Sequence, residues 1–343
     1  SILAWILHEA GLDPSFMIGG ILKNFDSNYR LGNGPYFVVE GDEYDTAFFD
    51  KGPKFLHFRP QMAVLTSVEF DHADIFNDLD HVKRTFKGFI AGLAASSLLL
   101  AYDGDKNLAG LIDYANCRVE NYGQNKSSCW RLGTISVASP WTTFEIIKNN
   151  ETFSVFKTRL FGEHNLLNAR AAIAIADHLK IPLQIIAGAL ETFDGIKRRQ
   201  EIRGEKRQIT VIDDFAHHPT AVRETVRAVK SVHSKGRLIA VFEPRTNTSM
   251  RSIFQNEYLQ SFEMADLICI RHPPLLKKIP DGQRFSSRQL VNDLKSRGKD
   301  AHYFPDTDTI IEFLLKTVKP HDLILIMSNG GFDNIHQRLL ESL

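Results

Sequence analysis

Short apolar runs alternate with helix-like segments along most of this chain, and this alternation limits the fold more than any other feature. Up to about residue 122 it predicts a mostly parallel sheet with crossover helices. Residues 123–160, which are rich in Ser, Thr and Gly, predict a small antiparallel addition. After Gly195, which precedes a charged run, the alternation begins again. We therefore predict two α/β domains, residues 1–194 and 195–343, the second with its own doubly wound sheet.

The pattern also places the individual elements. An amphipathic helix closed by Gly11 opens the chain, and no strand precedes it. Strands are predicted at residues 36–39, 62–66, 97–102, 118–122, 208–213, 237–242, 266–270 and 322–327. Helices are predicted at residues 80–94, 106–115, 165–180, 183–192, 219–232, 252–262, 286–297, 307–317 and 332–341.

Charge and cysteine content exclude several classes of protein. Lysine plus arginine number 41, as do aspartate plus glutamate, so the 343 residues carry no net charge. This balance argues against nucleic acid or an anionic membrane as a partner. Cys117, Cys129 and Cys269 lack metal-binding or redox spacing and indicate reduced thiols in a cytoplasmic protein. No apolar run approaches the roughly 18 residues that span a bilayer, so membrane insertion is not expected.

Carboxylates and an imidazole follow the first two predicted strands. The first strand runs into an acid-rich segment that begins at Glu40, and the second is followed by His72 between Asp71 and Asp74. Placing both strands in one sheet predicts a shared Mg²⁺ site formed by Glu40 and His72, because hard oxygen ligands suit this ion. The alternative is that Asp71 and Asp74 only cap the following helix.

Two further segments are suited to a nucleotide. Asn165 and Asn168 lie three residues apart at the start of a predicted helix, so both amides can face one base edge. A plain helix cap is the alternative for either residue. Gly195 and the charged run that follows it, up to Arg199, are predicted to form a hinge between the domains, where a guanidinium such as that of Arg199 suits phosphate oxygens. Its alternative is a solvated charge run.

Polar residues also follow the strands of the second predicted domain. Asp213, Asp214, His217 and His218 come at the end of one strand and immediately before a helix. The alternative is that these residues only cap the helix and that a histidine is buried in the core. Arg245 follows the next strand, where its guanidinium can bind a substrate carboxylate through two hydrogen bonds. The sequence thus predicts a binding site at the carboxyl edge of this sheet.

The order of these motifs resembles that of the Mur ligase family, the ATP-dependent amide ligases of bacterial cell-wall precursor synthesis. The resemblance covers essentially the whole chain. It rests on Ile18-Gly-Gly, Val39-Glu-Gly-Asp-Glu-Tyr-Asp, Asp71-His-Ala-Asp, Gly162-Glu-His-Asn-Leu-Leu-Asn, Gly195-Ile-Lys-Arg-Arg and Asp213-Asp-Phe-Ala-His-His-Pro. It implies a central ATPase domain followed by a Rossmann-like carboxy-terminal domain. It also implies that the family's amino-terminal UDP-binding domain and phosphate-binding loop, which would precede Ser1, are absent from this chain.

The resemblance further implies a reaction. With ATP and Mg²⁺, UDP-N-acetylmuramate would be joined to the tripeptide L-alanyl-γ-D-glutamyl-meso-diaminopimelate in peptidoglycan recycling, by a monomer. Free L-alanine as acceptor is one alternative, although L-alanine-adding relatives typically have a Gln-Pro-His type segment where this chain has Glu243-Pro-Arg245. A non-catalytic nucleotide-binding module is another. The implied roles are metal binding and catalysis by Glu40 and His72, adenine contacts by Asn165 and Asn168, phosphate contacts by Arg199, ribose contacts by Asp214, and tripeptide binding by His217, His218, Arg245 and Asn247.

Overall fold

The computed structural model describes residues 1–73, 75–233 and 235–343. They form two compact units, Ser1–Ile196 and Lys197–Leu343, so the division falls two residues beyond the predicted boundary. The capping role considered for Asp74 lies outside the described residues. No described helix is both long enough and apolar enough to cross a membrane.

The first unit contains five helices and eleven strands among its described residues. The helices are α1 (Ile2–Glu9), α2 (Leu79–Ala91), α3 (Lys106–Ala109), α4 (Glu163–His178) and α5 (Leu183–Thr192). The strands are β1 (Ser15–Leu22), β2 (Ser27–Arg30), β3 (Phe37–Val39), β4 (Asp45–Ala47), β5 (Asp50–Pro53), β6 (Met62–Leu65), β7 (Leu98–Tyr102), β8 (Arg118–Gly123), β9 (Trp130–Ala138), β10 (Trp141–Lys148) and β11 (Glu151–Thr158).

The largest sheet of the first unit combines parallel and antiparallel pairing. Its strand order is β11-β10-β9-β8-β7-β6. Strands β6 to β9 run parallel, and β10 and β11 continue the sheet in antiparallel order. The predicted antiparallel addition is confirmed, as an extension of the parallel sheet. Residues 169–176 of α4 are all buried, and the apolar ones among them form one core with α1, α5 and this sheet.

One predicted pairing of strands is wrong. The sequence pattern places the strands before Glu40 and His72 in one sheet. In the structure β3 belongs to a three-stranded sheet of order β2-β1-β3, whereas β6 belongs to the six-stranded sheet. The parallel partner of β3 is β1, which the sequence did not predict because Gly19 and Gly20 interrupt its apolar pattern.

The second unit contains six strands and five helices among its described residues. The strands are β12 (Glu201–Lys206), β13 (Ile209–Asp214), β14 (Leu238–Phe242), β15 (Leu267–Arg271), β16 (Ala301–Phe304) and β17 (Leu323–Met327). The helices are α6 (Pro219–Val232), α7 (Tyr258–Ser261), α8 (Ser287–Ser296), α9 (Thr307–Thr317) and α10 (Ile335–Ser342).

The second sheet is doubly wound, as predicted. Its order is β12-β13-β17-β14-β15-β16, and the strands are parallel except for β12. All residues of β14 and β17 are buried, which is why both strands read as continuous apolar runs. At the carboxyl edge, the Ser328 amide donates to the Asp214 carbonyl at 3.1 Å, and the Glu243 amide donates to the Met327 carbonyl at 3.0 Å. These bonds hold three strand ends side by side.

The helix predicted at residues 252–262 is wrong over most of its length. The structure has a 3₁₀ turn at Ser252–Phe254 and only the four residues of α7. The Gln255 side chain donates to the Ser286 carbonyl at 3.1 Å and accepts from the Ser286 amide at 2.9 Å. These tertiary hydrogen bonds fix the segment in a form that local helix propensity did not predict.

Two other predicted helices are shorter than expected. Within residues 106–115, α3 ends at Ala109 with Gly110 as its C-cap, and a 3₁₀ turn follows at Ile112–Tyr114. Glycine is a poor helix former, so an end at this position is expected. Within residues 332–341, Phe332, Asp333 and Asn334 have positive φ angles between 46° and 54°. The α-helix therefore begins only after these residues.

Candidate active site

Glu40 follows β3 at the edge of the three-stranded sheet. Its amide donates to the Met17 carbonyl at 3.1 Å, and its Oε2 accepts from the Gly19 amide at 2.7 Å. A Cβ at Gly19 would lie only 3.2 Å from that oxygen, so the glycine permits the close approach. The Glu40 residue remains exposed. It is therefore an anchored carboxylate that solvent or a ligand can reach.

His72 lies in the loop after β6. Its φ of 52° is in the left-handed region, which is uncommon for residues other than glycine. Its ring meets that of Tyr44 edge to face, with 4.5 Å between centroids, and Nε2 is 3.9 Å from Glu43 Oε2. The structure thus brings His72 to Glu43, whereas the described hydrogen bonds of Glu40 run to β1. The predicted pairing of Glu40 with His72 on one metal ion stays a prediction.

Other acidic side chains lie near Glu43. Burial raises the pKa of Glu43, and Asp42 and Asp71 raise it further, against the opposing effects of a backbone hydrogen bond and His72. Such a group of carboxylates favours a cation. Among the described residues, no three His, Cys, Asp or Glu side chains are placed to hold a metal ion alone. The donor set still fits Mg²⁺, which commonly uses one or two carboxylates together with substrate phosphates.

The two predicted adenine ligands lie on α4, which begins two residues earlier than predicted. Asn165 is in the first turn, and its Nδ2 donates to the Phe161 carbonyl at 2.8 Å. Asn168 is exposed in the next turn on the same side of the helix. The N-cap of α4 is Gly162, without a side-chain capping hydrogen bond, so the capping alternative is wrong for Asn165. A contact of both amides with adenine stays a prediction.

Sequence reasoning missed a buried guanidinium on the same helix. Arg170 is 0% exposed, and its Nη1 donates to the Gly123 carbonyl at 2.6 Å. Burial lowers its pKa to about 10, although Tyr122 and Asp103 act in the opposite direction. Arg170 ties α4 to the end of β8. The available signal was a single charged residue within the apolar, Ala-rich part of the helix.

Asp214, the predicted ribose ligand, lies at the end of β13. It is 2% exposed, and its carboxylate accepts from the amides of Gln200 at 2.8 Å and Ala216 at 2.7 Å. Burial raises its pKa, and the Arg199 guanidinium is the largest opposing influence. The Arg199 guanidinium lies 5.2 Å from the centroid of the Phe215 ring, the residue that follows Asp214. The described bonds of Asp214 organise the turn, and its contact with ribose stays a prediction.

The two histidines after β13 have different surroundings. His218 caps α6, where its Nδ1 accepts from the Thr220 amide at 3.3 Å, and it meets the Phe254 ring edge to face. His217 Nδ1 lies 2.9 Å from the Phe215 carbonyl oxygen. Capping, considered as the alternative for this motif, thus applies to His218. Tripeptide binding by either ring stays a prediction.

A second group of charges surrounds Glu243, which directly follows β14. Its carboxylate is 0% exposed and accepts from Arg271 Nη1 and, at 2.6 Å, from the Ser328 hydroxyl. Arg245 Nη1 is 3.7 Å from Glu243 Oε1, and 32% of the Arg245 side chain is exposed. Arg271 also forms an ion pair with Asp333 at 2.6 Å. Arg245 is therefore the accessible guanidinium of this group.

Three members of this second group were missed from the sequence, namely Glu243, Arg271 and Ser328. Each stands at or directly after the end of an apolar strand, which was the available signal. Their partners, however, come from other strands and could not be paired by spacing. Asn247, predicted to bind the tripeptide with Arg245, is exposed in the loop that follows β14.

Comparisons with known proteins match both units. Residues 27–176 match the family described as the Mur ligase middle domain, and residues 198–330 match the one described as Mur ligase, glutamate ligase domain. Over 341 residues the chain is 38% identical to the UDP-N-acetylmuramate--L-alanyl-gamma-D-glutamyl-meso-2,6-diaminoheptandioate ligase of Escherichia coli (strain K12). That match covers 99% of this chain and 72% of the relative.

Two further relatives widen the comparison. The UDP-N-acetylmuramate--L-alanine ligase of Acetivibrio thermocellus is 32% identical over 343 residues, covering 99% of this chain and 71% of the relative. A solved structure of a murein peptide ligase from Psychrobacter arcticus 273-4 is 32% identical, with a TM-score of 0.70. It covers 99% of this chain and 74% of the solved one.

Proposed function

The chain belongs to the Mur ligase family, and on that premise we propose that it joins UDP-N-acetylmuramate to the tripeptide L-alanyl-γ-D-glutamyl-meso-diaminopimelate at the expense of ATP. The observation that carries the choice of acceptor is the accessible guanidinium of Arg245 beside the buried Glu243. The tripeptide has carboxylates remote from its reacting amine, and a guanidinium binds such groups through paired hydrogen bonds.

Free L-alanine is the second candidate acceptor. It is supported by the 32% identity to an L-alanine ligase over almost the whole chain. L-Alanine offers only the carboxylate beside its reacting amine, so it has no remote anion for Arg245. The tripeptide is also favoured by the greater identity, 38%, to the relative named for it.

The first unit would supply the metal and adenine contacts. Glu40 and His72, with Glu43 beside the imidazole, would hold Mg²⁺ against the phosphates of ATP. The bound ion would neutralise phosphate charge and so lower the repulsion of the attacking carboxylate. Asn165 and Asn168 would contact adenine. Arg199 and Asp214, both in the second unit, would contact the phosphates and the ribose.

The reaction would proceed in two transfers. A lactyl carboxylate oxygen of UDP-N-acetylmuramate attacks the γ-phosphorus of ATP, and the bond to ADP breaks, which leaves an acyl phosphate. The α-amine of the tripeptide then attacks the acyl carbon, the bond to phosphate breaks, and the amine loses a proton. The protein's contribution to phosphoryl transfer is mainly positioning and charge neutralisation. His217, His218, Arg245 and Asn247 would hold the tripeptide for the second transfer.

Phosphate release tests this proposal. The full-length protein is supplied with ATP, Mg²⁺ and UDP-N-acetylmuramate, and then with the tripeptide or with L-alanine in parallel. We expect phosphate release when the tripeptide is the acceptor and none when L-alanine is. We also propose that the protein acts as a monomer in the cytoplasm. Phosphate release with L-alanine but not with the tripeptide would favour free L-alanine as the acceptor. Binding of ATP without release for either acceptor would favour a non-catalytic nucleotide-binding module.

A further inference from the structure

The side chain of Arg245 lies over Gly330, in the segment that follows β17. A Cβ added to Gly330 would lie 2.3 Å from Arg245 Cδ and 2.5 Å from Nε. The Gly330 backbone is held on both sides, since its amide donates to Ser328 Oγ at 2.9 Å and its carbonyl accepts from Arg198 Nη2 at 2.7 Å. A methyl group at this position would therefore displace the flexible Arg245 side chain more readily than the backbone.

Glu243 acts on the other end of the same side chain. Its carboxylate is buried between Arg271, which is 9% exposed, and Arg245, which is 32% exposed. Arg271 is shared with Asp333. Burial alone would raise the pKa of Asp333, but the Thr307 hydroxyl and then Arg271, with a contribution from Arg245, lower it overall. The two positive charges of Arg245 and Arg271 thus equal the two negative charges of Glu243 and Asp333. Arg245 is the more exposed of the two cations.

We propose that Glu243 and Gly330 are positioning residues, which fix the Arg245 guanidinium so that its exposed part binds a carboxylate of the acceptor. Glu243 attracts one edge of the guanidinium, and Gly330 leaves room for the aliphatic part. This orientation selects a peptide with a carboxylate remote from the reacting amine over a free amino acid. The inference rests on the function proposed above and assigns its acceptor selectivity to two residues that do not themselves touch the acceptor.

A double-mutant cycle in the full-length protein tests the role of Gly330. We expect Gly330→Ala to raise the KM for the tripeptide about tenfold, the typical cost of a lost hydrogen bond to a charged group. The KM for ATP should stay within about twofold. In an Arg245→Ala background, Gly330→Ala should have no further effect on the KM for the tripeptide. Gly282→Ala is the matched control, because a Cβ there meets nothing within 4 Å.

Equal effects of Gly330→Ala with and without Arg245 would overturn the inference, and so would an unchanged KM in the single variant. Glu243→Gln, assayed where circular dichroism shows it to be folded, should likewise raise the KM for the tripeptide and leave that for ATP unchanged. An unaltered KM for the tripeptide in this variant would remove Glu243 from the inference. Failure of the wild-type protein to use the tripeptide would instead refute the proposed function, which keeps the two failures distinct.

Discussion

Two groups of acidic side chains, one around Glu243 in the second unit and one around Glu43 in the first, are balanced in opposite ways. In Lys197–Leu343, Glu243 is buried against Arg271, and Asp322 forms an ion pair with Arg237 at 2.5 Å. In Ser1–Ile196, Glu43 lies near other carboxylates, and its ion-pair partner is the imidazole of His72 at 3.9 Å. An imidazole is charged only when protonated, whereas a guanidinium is always charged at physiological pH.

The difference distinguishes carboxylates that are paired within the fold from carboxylates that a bound cation would stabilise. A buried carboxylate paired with arginine is satisfied before any substrate arrives, and removing either partner leaves the other uncompensated. Carboxylates that raise one another's pKa gain from a cation supplied from outside. We therefore expect substitutions in the buried Glu243–Arg271 pair to act first on stability, and those at the first unit's acidic group to act on turnover and on the response to Mg²⁺.

The largest expected effect on this comparison is that of Arg271→Ala. Removing this cation leaves Glu243 buried without its main partner, and breaking a buried ion pair costs about 3–5 kcal/mol. Circular dichroism during urea unfolding measures the loss. Arg297→Ala, at an exposed residue of the same unit, is the control and should change the free energy of unfolding little. Equal stability of the two variants would show that the Glu243 group is not part of the fold's stability.

His72→Ala should affect turnover rather than folding. Loss of one electrostatic contact to the reacting groups typically lowers turnover about 100-fold, and we expect at least that loss with the thermal unfolding temperature nearly unchanged. Phosphate release and thermal unfolding are measured on the same preparation of full-length protein. His302→Ala, which removes an imidazole of the other unit, is the control. Near-normal turnover in His72→Ala would refute the metal role and with it the contrast between the units.

The sequence predicted the elements that have a local pattern, but not the contacts between residues distant in the chain. Strands such as β14 and β17 are buried on both faces, so their apolar runs identify them without knowledge of their neighbours. Strand β1 was not predicted because Gly19 and Gly20 interrupt its apolar pattern. Without β1, the prediction placed β3 in the wrong sheet. The polar residues at strand ends indicated a site in each domain, but the side chains that pair with them come from distant positions in the sequence. Arg271 lies 28 residues from Glu243, and no local pattern encodes that pairing.

Glu243→Gln is a smaller and more selective test of the second unit. The amide keeps the shape of the side chain but not its charge, so Arg271 loses a charged hydrogen bond, a loss of about 2 kcal/mol. Urea unfolding followed by circular dichroism should show this destabilisation. Glu263→Gln, at an exposed glutamate of the same unit, should leave the free energy of unfolding unchanged. A more stable Glu243→Gln variant would mean that desolvation of the carboxylate outweighs its pairing.

Glu43→Gln should have the opposite sign and the smallest size. Because burial and neighbouring carboxylates raise the pKa of Glu43, the folded protein keeps this proton to a higher pH than the unfolded chain. Wild-type stability therefore falls as pH rises from the unfolded pKa of about 4.3 through the folded one. The variant lacks this loss, so at pH 7 it should be more stable than wild type by less than about 1 kcal/mol, and equal to it at acidic pH.

The three tryptophans, Trp5, Trp130 and Trp141, all lie in the first unit, so their fluorescence measures the unfolding of that unit at each pH. Glu191→Gln, at an exposed glutamate of the same unit, is the control. Mg²⁺ should stabilise wild type more than Glu43→Gln, because the ion offsets the repulsion that the variant has already removed. If Glu43→Gln is less stable than wild type at pH 7, then Glu43 is satisfied within the fold as Glu243 is, and the contrast between the two units fails.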